Sequence, residues 1–178
     1  MSYYDVDAIL TDAQKLPCTF GLDVPGLGYL DGNPGSTMKT GSKIDLPLWL
    51  GVMLAVSNSQ SNEPLLTLEY PSALQQRVIN AMKADPKSVD IRAQAPHFYA
   101  LAFRVLEIFE DDDVVATLSE TFRARAAEIA DHAHNVRGGL AEGQTFLASL
   151  DELERSLYRA AHDGRKAVRA WETSLKKS

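Results

Sequence analysis

The closest pair of histidines in this 178-residue chain, His132 and His134, stands two positions apart. On a helix that spacing sends the two rings to different faces, so they cannot chelate one ion together. The triplet Asp111-Asp112-Asp113 offers hard oxygen ligands, but acids just ahead of an apolar periodic run are also what a helix N-terminus favours. His97 lies between Pro96 and Phe98 and reads as a hydrogen-bonded packing histidine, and His162, in a basic stretch, reads as surface. Cys18, the single cysteine, has no histidine near it in sequence and reads as a small buried hydrophobe. Gly26, Gly28 and Gly32 miss the dinucleotide-binding spacing by one residue, and no helix is expected after them. Between Gly35 and Lys43 five residues rather than four separate the glycines, and Ser42 precedes Lys43 instead of following it. That is not a phosphate-binding loop. No acid/base pair and no activated nucleophile emerges, so we expect no enzyme, no cofactor and no metal, and a protein that works through its surfaces.

The elements that carry those surfaces fall into two textures. All eight prolines lie at or before Pro96, and seven of the eleven glycines lie at or before Gly51. Proline and glycine punctuate loops and strand ends, whereas long proline-free stretches suit helices. The expected fold class is therefore α+β and predominantly α: a small β-rich domain with short helices over 1–72, then an all-α domain over 73–178. A hydrophobic content of 45% against 24% charged residues is that of a folded chain long enough for one or two domains. No apolar run is long enough to span a membrane. The start lacks a signal peptide's basic and apolar regions, and one cysteine excludes a disulfide framework, which together point to a reducing compartment.

In the first domain the pattern predicts a short helix from Asp5 to Ala13, with Asp5 as cap and Val6, Ile9 and Leu10 on one side. Short strands are expected at 18–20, 28–30 and 65–70, with a Gly/Pro/Ser/Thr-rich loop from Asp31 to Ser42. Leu48 to Val56 reads as a buried helix after Pro47, and Trp49, beside Leu46, Pro47 and Leu48, is expected to anchor the core.

In the second domain Ser72 and Gln75 suggest a capping box for a helix to about Ala84, stopped by Asp85-Pro86. Pro96 can occupy the first turn of a helix to about Phe109 that is apolar on two faces and so nearly surrounded. The next helix carries the stripe Val115, Leu118, Phe122, Ala126, Ile129 and Ala133, ending near Asn135 before Gly138-Gly139. The longest expected helix runs from Phe146 to Leu175. Its stripe of Phe146, Leu150, Leu153, Leu157, Ala161, Gly164, Val168, Trp171 and Leu175 alternates spacings of four and three. At 1.5 Å per residue it would be about 45 Å long, more than a small helical unit covers alone. Either it kinks or part of it faces another chain. Gly164 in the stripe leaves room for a close backbone approach, so a partner element is expected to cross there.

The net charge is −6, which argues against a protein whose main task is gripping nucleic acid. Residues 1–72 hold three basic and eight acidic side chains, whereas the stretch from Arg155 holds seven basic and two acidic. That basic end reads as a solvated helix face, with DNA contact as the alternative.

Three segments together resemble subunit three of the eukaryotic GINS complex, a replication factor. They are Gly41-Ser42-Lys43-Ile44-Asp45-Leu46-Pro47-Leu48-Trp49-Leu50; Asp85-Pro86 with Val89-Asp90 and Pro96-His97-Phe98-Tyr99; and Leu150-Asp151-Glu152-Leu153-Glu154-Arg155 with Gly164 and Trp171-Glu172. The resemblance runs from about Tyr4 to the C-terminus. It implies a nuclear heterotetramer of four related subunits, each with a helical and a small β-rich domain, the small one first in this subunit type. It further implies that the tetramer joins the MCM ring and a co-activator in the CMG replicative helicase, with ATP hydrolysis left to the ring and DNA met only indirectly. The fold and interface candidates are then Leu46, Pro47, Leu48, Trp49, Pro96, His97, Phe98, Tyr99, Leu150, Leu153, Leu157, Gly164, Val168 and Trp171. A monomeric helical adaptor, or a DNA-binding module led by the basic C-terminal helix, are the alternatives.

Overall fold

A computed structural model describes residues 4–57, 64–134 and 140–175. The chain divides into two compact units, Met1–Ser72 and Ala73–Ser178. No described helix is long and apolar enough to cross a membrane.

In the first unit, helix α1 spans Val6–Asp12, strand β1 Lys15–Phe20, strand β2 Lys43–Pro47, helix α2 Leu48–Val56 and strand β3 Leu66–Leu68. The strands form one antiparallel sheet in the order β2-β1-β3. Its registers run from Lys15 opposite Pro47 to Thr19 opposite Lys43, and from Cys18 opposite Leu68 to Phe20 opposite Leu66. The central strand alternates, with Leu16, Cys18 and Phe20 buried and Lys15 outward, as a half-covered sheet requires. Pro17 is tolerated in this central strand because the β3 pairing begins at Cys18, and Pro17 meets the segment after β3 only through its carbonyl, which accepts from the Glu69 N–H at 2.9 Å. Helix α2 covers the sheet, and Gly51 makes that possible: a Cβ there would stand 3.1 Å from Leu68 Cδ2 and 3.3 Å from Cys18 Sγ.

Two expectations change here. Residues 28–30 form a 3-10 turn over Gly28–Asp31, not a strand, and no room exists for a Cβ on Gly28 because the Asn33 and Ser36 carbonyl oxygens close over it. The strand over Lys43–Pro47 was not anticipated. Trp49 is not the core anchor: it is 51% exposed, whereas Leu46 and Leu48 are buried and Phe20 is the core aromatic. Since α2 begins at Leu48, its first residue turns inward and its second turns out.

The second unit holds α3 (Gln76–Ala84), α4 (Ile91–Gln94), α5 (Phe98–Phe109), α6 (Asp112–His134), α7 (Leu140–Ala148) and α8 (Glu152–Leu175). Val78, Ile79, Met82, Ile91, Phe98, Leu101, Val105, Leu118, Ile129 and Leu150 make its core. The Ser72–Gln75 capping box does not form, because Ser72 opens a 3-10 turn that buries Ala73 and Leu74, and α3 starts after Gln75 with no side-chain cap. Pro96 lies before α5, whose cap position is His97. Asp111 does cap α6, its Oδ1 accepting from the N–H groups of Asp113 and Val114. Asn135 and Gly138-Gly139, the expected end of that helix, lie outside the described residues.

The single long C-terminal helix is two helices. Asp151 ends the run: its Oδ1 accepts the Glu154 N–H at 2.8 Å while Glu154 Oε2 receives the Asp151 N–H, a reciprocal capping box that starts α8 afresh.

Candidate interaction surfaces

A buried polar hub holds the second unit together and decides which faces are left open. Arg125, on α6, is fully buried, and so is Glu154 on α8. Arg125 Nε donates to Glu154 Oε1 at 2.7 Å and Nη2 donates to Glu154 Oε2 at 3.0 Å, the two-pronged geometry that suits a guanidinium. Its Nη1 donates to the carbonyls of Pro86 and Val89, both at 3.1 Å, and Nη2 reaches Ser149 Oγ at 3.3 Å. The Phe146 ring lies 5.0 Å from the guanidinium carbon. Five N–H donors thus have protein acceptors, which is what burying this cation demands.

The same cluster gathers two of the sequence segments singled out above. Tyr99 donates its hydroxyl to Glu154 Oε1 and its backbone N–H to Asp151 Oδ2, both at 3.2 Å. The Glu152 N–H bonds the Pro96 carbonyl, and the Arg92 N–H bonds the Ser149 carbonyl. Burial pushes the Tyr99 hydroxyl well above the usual tyrosine range, and the neighbouring Glu154 carboxylate adds to it. Burial likewise raises the Asp151 carboxyl against the opposing pull of its backbone donors. In the first unit burial pushes the Cys18 thiol up to about 11.

Arg125 was not a candidate from sequence. The stripe read from hydropathy placed Leu118, Ile129 and Ala133 correctly but also took in Val115, Phe122 and Ala126, whereas the rest of the buried face of α6 is Val114, Thr117, Thr121 and Arg125. Two threonines and an arginine disguise it. The readable signal was the Asp151-x-x-Glu154 spacing, which marks a cap.

With α6 turned this way, Val115 and Phe122 open toward α5. Together with Tyr99, Phe103, Leu106 and Leu118 they line a groove of about 450 Å³. The α5 helix is therefore covered on one side only: Phe98, Leu101, Ala102 and Val105 are buried, whereas Phe103 is 56% exposed. Phe98, Tyr99 and Phe122 pack edge to face in succession at its base.

The remaining candidates lie along α8. Leu150 is buried before it begins, but Leu153, Leu157, Val168, Trp171 and Leu175 are exposed, Trp171 at 63%. Helix α6 packs against α8, and a bond from Arg165 Nη1 to the Ala133 carbonyl joins them near the end of α6. From Lys166 to Leu175 every residue is exposed. No described atom comes within 4 Å of a Cβ placed on Gly164, so no described element of this chain crosses there. Of the two crossings that the sequence allowed, by a helix of this chain or by another chain, the described residues supply no own-chain one.

Among the described residues no group of three or more His, Cys, Asp or Glu side chains could hold a metal ion. His132 instead sits 3.4 Å from Glu128 and beside the Phe146 ring, His134 donates to the Ala130 carbonyl, and His162 stacks on Tyr158.

Residues 4–56 match the family model of the PSF3 N-terminal domain, and residues 73–173 match that of the GINS complex protein helical bundle domain. A Phaeosphaeria nodorum protein named DNA replication complex GINS protein PSF3 is 62% identical over 176 residues, which is 99% of this chain and 98% of that one. A protein of the same name from Aspergillus fumigatus is 60% identical over 99% of each chain. A Schizosaccharomyces pombe counterpart is 36% identical over 98% of this chain and 99% of its own. On this likeness over nearly the whole length of each protein, the chain belongs to the PSF3 family of GINS complex proteins.

Proposed function

We propose that this chain is a non-catalytic structural subunit of a heterotetrameric GINS complex, acting in the nucleus in the initiation and elongation of DNA replication as part of the CMG replicative helicase. Its direct partners are the other three GINS subunits. The MCM ring and the helicase co-activator are reached through the complex, and DNA only indirectly. In this reading residues 1–72 are a small β-rich domain and 73–178 the GINS-type helical domain that carries assembly.

What supports an assembly role is the outer half of α8. Val168, Trp171 and Leu175 continue, at helical spacing, the exposed apolar seam that Leu153 and Leu157 begin on α8. A monomeric adaptor has no use for a tryptophan there, whereas a helix laid lengthwise along a partner does. Co-expression with the other three subunits, followed by gel filtration and circular dichroism, tests this. The four chains should elute as one particle, and Trp171→Asp should break it, because the new charge would be buried on assembly. The helical signal of the variant should persist, since Trp171 is exposed within its own chain. A full-size, salt-stable complex carrying Trp171→Asp would sink the reading.

A further inference from the structure

We infer that the joined outer face of α1 and α2 in the first unit is a docking site for a basic amphipathic helix of a partner protein. The inference is independent of the assembly role given to α8, which lies in the other unit.

Helix α2 reads Leu48-Trp49-Leu50-Gly51-Val52-Met53-Leu54-Ala55-Val56 and contains no polar side chain. Leu48 and Gly51 go against the sheet, so the opposite side is apolar by default, where a surface helix ordinarily carries polar residues. Trp49, Met53 and Val56, at helical spacing, are each more than half exposed. Helix α1 packs beside α2 and adds Val6, Ile9 and Leu10, which share one side as the sequence predicted but face outward, at 49–64% exposed. Two short helices side by side thus present one apolar surface. A scattered single leucine needs no explanation, but a contiguous face does.

Charge selects the occupant. Helix α1 and its cap carry Asp5, Asp7 and Asp12 and no basic residue, and α2 carries no charge at all. The unit around them holds three basic against eight acidic side chains. An apolar stripe flanked by Lys or Arg complements that face, and one flanked by Glu or Asp is repelled. Length selects the shape. At seven and nine residues the helices are about 10 and 13 Å long, so the face they present takes two to three turns of a helix through anchors at i, i+3, i+4 and i+7.

The test uses the full chain and a labelled Leu/Lys amphipathic helix of about five turns, with a Leu/Glu helix of the same apolar face as its counterpart, read by fluorescence anisotropy. The Leu/Lys helix should bind at least about tenfold tighter in about 0.1 M salt, and the preference should collapse toward about 1 M. Met53→Lys and Ile9→Lys should each weaken it by about tenfold or more, while Phe103→Lys, in the other unit, should change it less than about twofold. Circular dichroism verifies that each variant is folded. Equal binding of the two helices overturns the proposal, as does binding that survives both first-unit substitutions or falls equally with Phe103→Lys. So does a chain that dimerises through this face, which would make a second copy its occupant.

Discussion

Glu154→Leu is the most demanding test of how the second unit is held. Among the described residues it removes the only carboxylate bonded to Arg125, whose guanidinium is wholly buried and cannot shed its charge. The cation would keep Ser149, two backbone carbonyls and the Phe146 ring, which orient it but do not neutralise it. Breaking a buried pair from one side costs about 3–5 kcal/mol. Tyr99 also loses the acceptor of its hydroxyl and Asp151 the partner of its N–H. Domains of this size hold about 5–15 kcal/mol in all, so the variant should lose about a fifth of its stability or more. Urea unfolding of the full chain, followed by circular dichroism at the helix band, measures it. The double variant Arg125→Met/Glu154→Leu removes the stranded charge but leaves the Pro86 and Val89 carbonyls without their donor. It should recover only part of the loss, since each unsatisfied buried acceptor costs about 1–3 kcal/mol. A single-variant loss under about 1 kcal/mol would refute the hub as the unit's keystone. So would full recovery in the double variant, because it would make the carbonyl bonds worthless.

In the first unit Phe20→Ala should cost about 3–5 kcal/mol by emptying the core, whereas Trp49→Ala should cost about 1 kcal/mol or less, and hydrogen exchange of the sheet amides would expose a reversed order. The Thr40 N–H and hydroxyl, at 2.6 and 2.8 Å from Asp23 Oδ1, hold that carboxyl below the usual aspartate range. Because the folded value is the lower one, this contribution is complete above the ordinary aspartate value and is lost as pH falls through the depressed one. An NMR titration should show the Thr40 amide moving with an Asp23 midpoint below about 3.9, and a midpoint at or above that value would contradict the bond.

How legible each part was follows from how local its signal is. Proline and glycine placement separates a turn-rich from a helical half because those residues act on their own backbone. Asp5 and Asp111 cap the helices they precede for the same reason. The sheet was harder to read. Strands of three to six residues are too short to display a period, and β1 finds β2 and β3 only across long intervening segments. Gly28-Tyr29-Leu30 looks like Leu66-Thr67-Leu68 locally, and only the second has a strand to pair with. Hydropathy then failed twice for one reason. On α6 it found Leu118, Ile129 and Ala133 but added Val115 and Phe122, because the rest of the inward face contains Thr117, Thr121 and Arg125. On α2 it placed Trp49 inside because nothing on that helix is polar.

The C-terminal stripe shows what such a pattern can and cannot mean. Its nine positions keep one rhythm through Ser149–Asp151, where the chain leaves the helix and begins another. On the near side of the break, Leu150 is buried, and the polar residues around it bind Pro96, Tyr99 and Arg125. Those positions are explained by the fold of this unit alone. On the far side the rhythm continues through Val168, Trp171 and Leu175, each more than half exposed. Gly164 lies on the same rhythm, exposed and with open space beside it. Past the break the seam at Leu153, Leu157, Val168, Trp171 and Leu175 is exposed, while the face of α8 turned to α6 is carried by Glu154 and Arg165. The apolar rhythm and the buried face of α8 are therefore two different faces of one helix: the Arg125–Glu154 pair seats the polar one and leaves the apolar one open, which is the surface proposed above for assembly.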